Sequence, residues 1–361
     1  MVIIQLMGGL GNQLQQYALY RKFISMGVDA RLDTSWFRPE VQENMRAPRA
    51  LELDYLEGIK YTAATEQEVK AVRGYGFEEL SDSLVSKVKR HLMPHVFKVM
   101  GQRYRIFEES SIYHPELLGL KNAYISGFYA CEYYYADILP TLREEIRFPI
   151  NSERSEDLYT IVLDMNKTES ISLHLRRGDY EDPGNQEMFG GICTEEYYKG
   201  AIEYCLEKLS YRKADGNVGN TAVRDVGYAG DAGDAGYDGR DESSEVVKPL
   251  TFFVFSDDGD YAVEFAHKCA KEYGVPFRVV DINRGKYSYL DMYLMSKCNH
   301  NITANSTFSF WGARFNDYEN RIMIRPTKHK NSQQFVKEDM ERWWAGWTFV
   351  DPNGASAAVY K

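Results

Sequence analysis

The feature that most narrows the fold is a rhythm in the second half of the chain. Short apolar runs alternate with helical patterns, and three of the runs stop abruptly in polar clusters. Residues 170–175, 250–255, 277–280, 300–304 and 322–325 read as strands, and residues 194–209, 261–273, 289–298 and 307–315 read as helices. Thr194 stands where a helix cap belongs, followed by Glu195 and Glu196 in the first turn. This alternation predicts an α/β protein with a doubly wound parallel sheet. The opening repeats the theme as β-α-β: a strand at 2–7, a helix at 12–26 with Leu14, Ala18, Leu19 and Phe23 on one face, and a strand at 28–32. A strand at 123–128 and a helix at 136–146 follow. Residues 34–105 show little beyond helical patches at 65–72 and 81–91.

At 361 residues the chain is long enough for two domains. The net charge of −10 argues against a nucleic-acid binder. Half of that charge is local, because residues 213–247 hold eight acids and three bases. This stretch contains a tandem of Gly, Asp and Ala with too few apolar groups to offset ordering entropy, and is expected to be a flexible insertion. Its acids lack the spacing of a calcium loop. Five cysteines without a C-x-x-C suit a reducing compartment. His91 and His95 flank Pro94 and are expected at the surface rather than as a metal pair. The N-terminus lacks a signal-peptide pattern and no run reaches membrane-spanning length. A cytoplasmic protein is expected, with peripheral membrane contact left open.

In open parallel sheets, ligands bind beyond the carboxyl ends of the strands. The three polar clusters, His174-Leu175-Arg176-Arg177-Gly178-Asp179, Ser256-Asp257-Asp258 and Asn305-Ser306-Thr307, are therefore expected on one edge. Two arginines at the end of a buried strand call for an anion, since a guanidinium fork pairs with phosphate oxygens in two parallel bonds. The third cluster opens a helix, whose free N–H groups also favour an anion. Asp257, Asp258 and Asp260 could hold a metal under a diphosphate, but a helix cap is the commoner use of such acids. The turn Gly8-Gly9-Leu10-Gly11-Asn12-Gln13 lies between a strand and a helix without matching G-x-G-x-x-G or a P-loop. It serves either as a structural tight turn or as a close backbone approach to ligand, with Asn12 and Gln13 available to a sugar.

Four blocks resemble glycosyltransferase family 11, the α-1,2-fucosyltransferases, and in particular its bacterial members. They are GGLGNQLQQYA (residues 8–18), HLRRGDY (174–180), FFVFSDD (252–258) and YLDMYLMSKCNHNITANSTFSFWGA (289–313). The chain departs from the family where Gln15 replaces a phenylalanine and Phe310 replaces a tryptophan, and in its Gly/Asp-rich insertion.

The resemblance implies a GT-B-like fold, with two Rossmann-like domains facing a cleft. Residues 1–165 would form the acceptor-side domain and 166–325 the GDP-sugar domain, interrupted by 213–247. Residues 326–361 would be a tail packed back on the first domain. It also implies GDP-fucose as donor, inversion at the anomeric carbon, no obligatory cofactor or metal, and the 2-hydroxyl of a terminal β-galactose, in an oligosaccharide or lipid-linked glycan, as acceptor. Arg176 would hold the β-phosphate with support from Arg177, His174 and Asp291 would read guanine or ribose, and Gly9, Gly11, Asp257, Asn305, Ser306 and Thr307 would complete the donor site. Asn12 would orient acceptor or fucose. Asp179 is a candidate general base, or else it orients Arg176. A transferase using another activated sugar, or a non-catalytic nucleotide-sugar-binding module, are the competing readings. Trp343, Trp344 and Trp347 could stack on a sugar or pack the tail.

Overall fold

A computed structural model describes residues 1–43, 45, 48–73, 103–106, 112–209, 213–214, 217–218 and 248–356. The strands are β1 (Val2–Gln5), β2 (Ala30–Asp33), β3 (Arg103–Ile106), β4 (Ala123–Ser126), β5 (Glu169–Leu175), β6 (Lys213–Ala214), β7 (Asn217–Val218), β8 (Leu250–Ser256), β9 (Phe277–Val279), β10 (His300–Ile302), β11 (Met323–Pro326) and β12 (Trp347–Val350). The helices are α1 (Leu10–Ser25), α2 (Pro39–Gln42), α3 (Glu66–Arg73), α4 (Leu139–Glu145), α5 (Ser152–Asn166), α6 (Pro183–Phe189), α7 (Glu195–Lys208), α8 (Gly259–Tyr273), α9 (Tyr289–Lys297), α10 (Thr307–Phe315) and α11 (Lys337–Trp343).

Two parallel sheets face each other across a cleft, the GT-B-like arrangement expected. The first runs β2-β1-β4-β3 and the second β12-β11-β10-β5-β8-β9, with every pairing parallel. The second sheet is wound outward in two directions from β5, with the reversal between β5 and β10. In the first, the chain passes from β1 to β2, crosses to the edge strand β3 and returns to β4 beside β1. A reversal leaves a crevice at the strand ends, because the crossover helices leave on opposite faces. The ends of β1, β5 and β10 all open on the same cleft. Every residue of β5 is buried, as a strand covered on both faces requires.

Helix α1 carries Leu14, Ala18, Leu19 and Phe23 inward, as its periodicity indicated. Gln13, Gln15 and Gln16 are equally buried: Gln13 and Gln16 bond the loops around Gly8, Ala50, Met7 and Gly127, and the helix also packs against α10. A Cβ on Gly11 would stand 2.5 Å from the Phe308 nitrogen, so glycine permits this crossing. One apolar cluster runs without interruption from Ile4 and Leu14 to Met292, Met295 and Trp311. A second fills the far side of the six-stranded sheet, under α7 and α8.

Some elements differ from expectation. The helix expected at 136–146 begins as a 3-10 turn at Ala136–Ile138, then continues as α4 with Pro140 in its first turn. The C-terminal tail does not simply pack back on the first domain. It adds β12 as an edge strand of the second sheet, paired with β11. Trp344 and Trp347 are buried against Phe310 and Phe349, which excludes them from sugar stacking. Trp343 packs against the cluster shared with the first unit, and the Trp347 indole N–H donates to Glu132 (3.2 Å). The segment at 81–91, His91, His95 and most of the 213–247 insertion lie outside the described residues.

Candidate active site

The cleft between the sheets has a volume of about 560 Å³. Gly9, Gly11, Asn12, His174, Arg176, Asp257, Asp291, Ser306 and Thr307 all line it, so nine positions singled out in the sequence converge on one place.

Sheet register explains the best-defined contact. Leu175 on β5 lies opposite Ser256 on β8, which sets Arg176 beside Asp257 just past both strand ends. Arg176 Nη1 pairs with Asp257 Oδ2 at 2.6 Å, and the other carboxylate oxygen accepts the Arg177 N–H at 3.0 Å. A Cβ on Gly178 would overlap the Asp257 carboxylate, so the glycine of the R-R-G-D run makes room for this bridge. The Arg176 guanidinium also lies over the Tyr180 ring, 5.3 Å from its centroid. It is therefore held from two sides while its outer edge faces the cleft.

Helix α10 begins at the same rim, with Ser306 as its N-cap. No side chain caps it, which leaves early N–H groups directed at the crevice. The Thr307 hydroxyl donates to Asn12 Oδ1 (2.8 Å), tying the two units together across the cleft floor. Gly11 serves the same junction. The close approach of backbone at Gly11 is helix to helix, while Gly9 and Gly11 also line the cleft. Gln13 is also committed elsewhere: it donates to the Gly8 and Ala50 carbonyls and accepts the Leu53 N–H.

His174 and Asp291 lie deeper. Burial, reinforced by neighbouring Arg176, lowers the His174 pKa to about 4, so the imidazole is neutral near pH 7. Its Nδ1 is buried without a hydrogen-bond partner. Burial pushes Asp291 up to about 7, against the pull of the Asn283 amide and Arg284. Asn283 Nδ2 donates to Asp291 Oδ1 (2.8 Å), and Asn283 Oδ1 is buried without a partner. Buried polar atoms without partners beside a cleft call for a ligand that supplies them.

Two predicted residues, Arg177 and Asn305, do not line this cleft. Arg177 points to the far side of β5, pairs with Asp258 (3.5 Å) and lies over the Tyr261 ring at 4.0 Å. Asn305 is buried behind the rim, where its amide donates to the Phe189 and His329 carbonyls. It positions neighbouring loops instead of meeting a ligand. Asp179 has its backbone in the 3-10 turn Gly178–Glu181, but its side chain lies outside the described residues. Asp258 caps α8 by accepting the Tyr261 N–H, the common use of such an acid.

A sequence profile described as Glycosyl transferase family 11 matches residues 79–213 and 230–351. The chain belongs to glycosyltransferase family 11. Two Escherichia coli proteins are similar to it along nearly their whole length. The O-antigen biosynthesis glycosyltransferase WbnK is 28% identical over 94% of this chain and 98% of its own. An alpha-1,2-colitosyltransferase is 27% identical over 95% of this chain and 97% of its own. Among solved structures, an Arabidopsis thaliana FUT1 mutant in complex with GDP is similar over 91% of this chain and 71% of that one, at 14% identity and a TM-score of 0.44.

A family 11 glycosyltransferase takes an activated sugar and a glycan acceptor. Several lining residues escaped the sequence reading. Asn283 and Arg284 follow β9 as the other clusters follow their strands, so the strand-end rule could have found them. Arg49 lies in a loop and Glu52 opens the 3-10 turn Glu52–Tyr55 of the first unit, and neither gave such a signal. Glu52 Oε2 accepts the Leu10 N–H at the start of α1 (2.8 Å). Burial pushes its carboxyl up, while that bond and Arg49 pull it down.

Proposed function

We propose that this glycosyltransferase moves L-fucose from GDP-fucose to the 2-hydroxyl of a terminal β-galactose, with inversion at the anomeric carbon. The observation that carries this reading is the meeting of Arg176, braced by Asp257, with the open start of α10 at the β5/β10 reversal. That pair suits the diphosphate of a nucleotide sugar. The transition state is oxocarbenium-like, and the leaving diphosphate needs charge stabilisation more than a proton. Arg176 supplies a fixed positive charge, and the Ser306 and Thr307 N–H groups supply aligned donors. Neutral His174 and the Asp291–Asn283 pair suit the nucleoside, where a carboxylate can accept ring N–H groups.

We infer that no metal is required, because Arg176 can carry the phosphate charge. The name of one relative favours a second donor. Colitose is the 3-deoxy counterpart of fucose. The name of the other relative supports a bacterial surface polysaccharide as the source of the acceptor. No helix among the described residues is long and apolar enough to cross a membrane. The test is incubation with GDP-fucose or GDP-colitose and a β-galactoside, following GDP release and the linkage formed. GDP-fucose turnover with an α-1,2 product supports the proposal. Turnover of GDP-colitose alone replaces the donor, and binding of GDP-sugar without release reduces the chain to a binding module.

A further inference from the structure

We propose that Glu52 is the general base that takes the proton from the acceptor hydroxyl. This inference rests on the reading of the cleft as an inverting transferase site. An inverting displacement brings the nucleophile to the face of the anomeric carbon opposite the departing group. The diphosphate site lies on the second unit, at Arg176 and the start of α10. The open face of the sugar therefore turns toward the first unit, and the base belongs on that wall.

The described part of that wall consists of Gly9, Leu10, Gly11, Asn12, Arg49, Glu52 and Phe128. Only Glu52 among these is an acid. Asn12 has its carbonyl engaged by Thr307, and Arg49 is a cation at neutral pH. The two acids on the opposite wall are committed, Asp257 to Arg176 and Asp291 to Asn283. Glu52 is fixed through one oxygen only. Oε2 accepts the Leu10 N–H, and no described residue donates to Oε1. A cleft-lining carboxylate anchored through one oxygen has the placement a base needs. Partial burial raises its pKa, against the pull of the Leu10 N–H and Arg49, which makes it a stronger base than a surface glutamate.

The step balances as follows. The acceptor O–H proton passes to Glu52 Oε1 as the oxygen bonds to the anomeric carbon. The bond from that carbon to the β-phosphate oxygen breaks, and its electron pair leaves with GDP. Glu52 returns the proton to water after product release.

The test is Glu52→Gln, which keeps an oxygen to accept the Leu10 N–H and removes the basicity. Using the donor and acceptor that the wild type turns over, kcat is expected to fall by about a hundredfold or more. GDP affinity and melting temperature should stay near wild type. Glu52→Asp keeps the carboxylate one methylene short and should retain an intermediate rate, and it carries the test if the glutamine variant does not fold. Near-normal kcat in a folded Glu52→Gln overturns the assignment, as does loss of turnover in Asp179→Asn with Glu52→Gln still active. Failure of the wild type with GDP-fucose would instead count against the donor, and the variant ratio would then be read with the sugar that works.

Discussion

At the scale of single residues, Arg176 carries the largest expectation. Removing a well-placed transition-state donor costs about 3 kcal/mol, roughly a hundredfold in rate. Arg176→Ala should therefore lose at least that in kcat while keeping its melting temperature, as steady-state kinetics and thermal unfolding can check. Asp291 makes a pH-dependent prediction. Its pKa is raised from 3.8 to about 7 by burial. The stability it contributes is complete below its ordinary pKa and is lost as the pH rises through about 7, because the buried group must then ionise. Ligand-free Asp291→Asn should gain melting temperature relative to wild type between pH 4 and pH 8. A constant difference across that range would mean that Asp291 ionises freely. Arg176, Asp257 and Thr307 were legible in the sequence because each sits at the end of a strand or the start of a helix, where backbone topology alone gives the location. Arg177 and Asn305 show the limit of that logic. Adjacent residues leave a strand on opposite faces, so only one of the two arginines reaches the cleft.

At the scale of elements, the crossing of α1 and α10 determines whether the cleft exists. Gly11→Ala puts a methyl against the Phe308 backbone, which cannot yield as a flexible side chain would. Overpacking of this kind costs about 1–3 kcal/mol. The variant should melt lower and lose transferase activity, because the Asn12–Thr307 bond spans the same junction. Unchanged melting would show that the helices can separate freely. The strands of the second sheet were legible from their apolar runs, and α10 matched its expected limits, residues 307 to 315. The helix α5 was missed although Leu158, Ile161 and Met165 fall at helical spacing and are its buried positions. Tyr159 and Leu163 are exposed apolar residues on its other faces, which blurred the stripe. The edge strand β12 was missed because a run of tryptophans in a tail suggests packing before it suggests pairing.

At the scale of the whole molecule, the two sheets place Arg176 and the uncapped start of α10 on one wall of the cleft and Glu52 on the other. This division was only half readable. The donor wall is built from strand ends, which have a sequence rhythm. The acceptor wall comes from the segment holding Arg49 and Glu52, whose geometry depends on its docking onto α1 and has no periodic trace. The metal-free reading predicts that EDTA leaves turnover unchanged, and a loss restored by magnesium would contradict it. The most direct test of the account is a crystal structure of the protein with GDP bound. The β-phosphate should lie within hydrogen-bond distance of the Arg176 guanidinium and the first N–H groups of α10, with the base near Asp291. A pyrophosphate bound away from Arg176 would contradict the account at its centre.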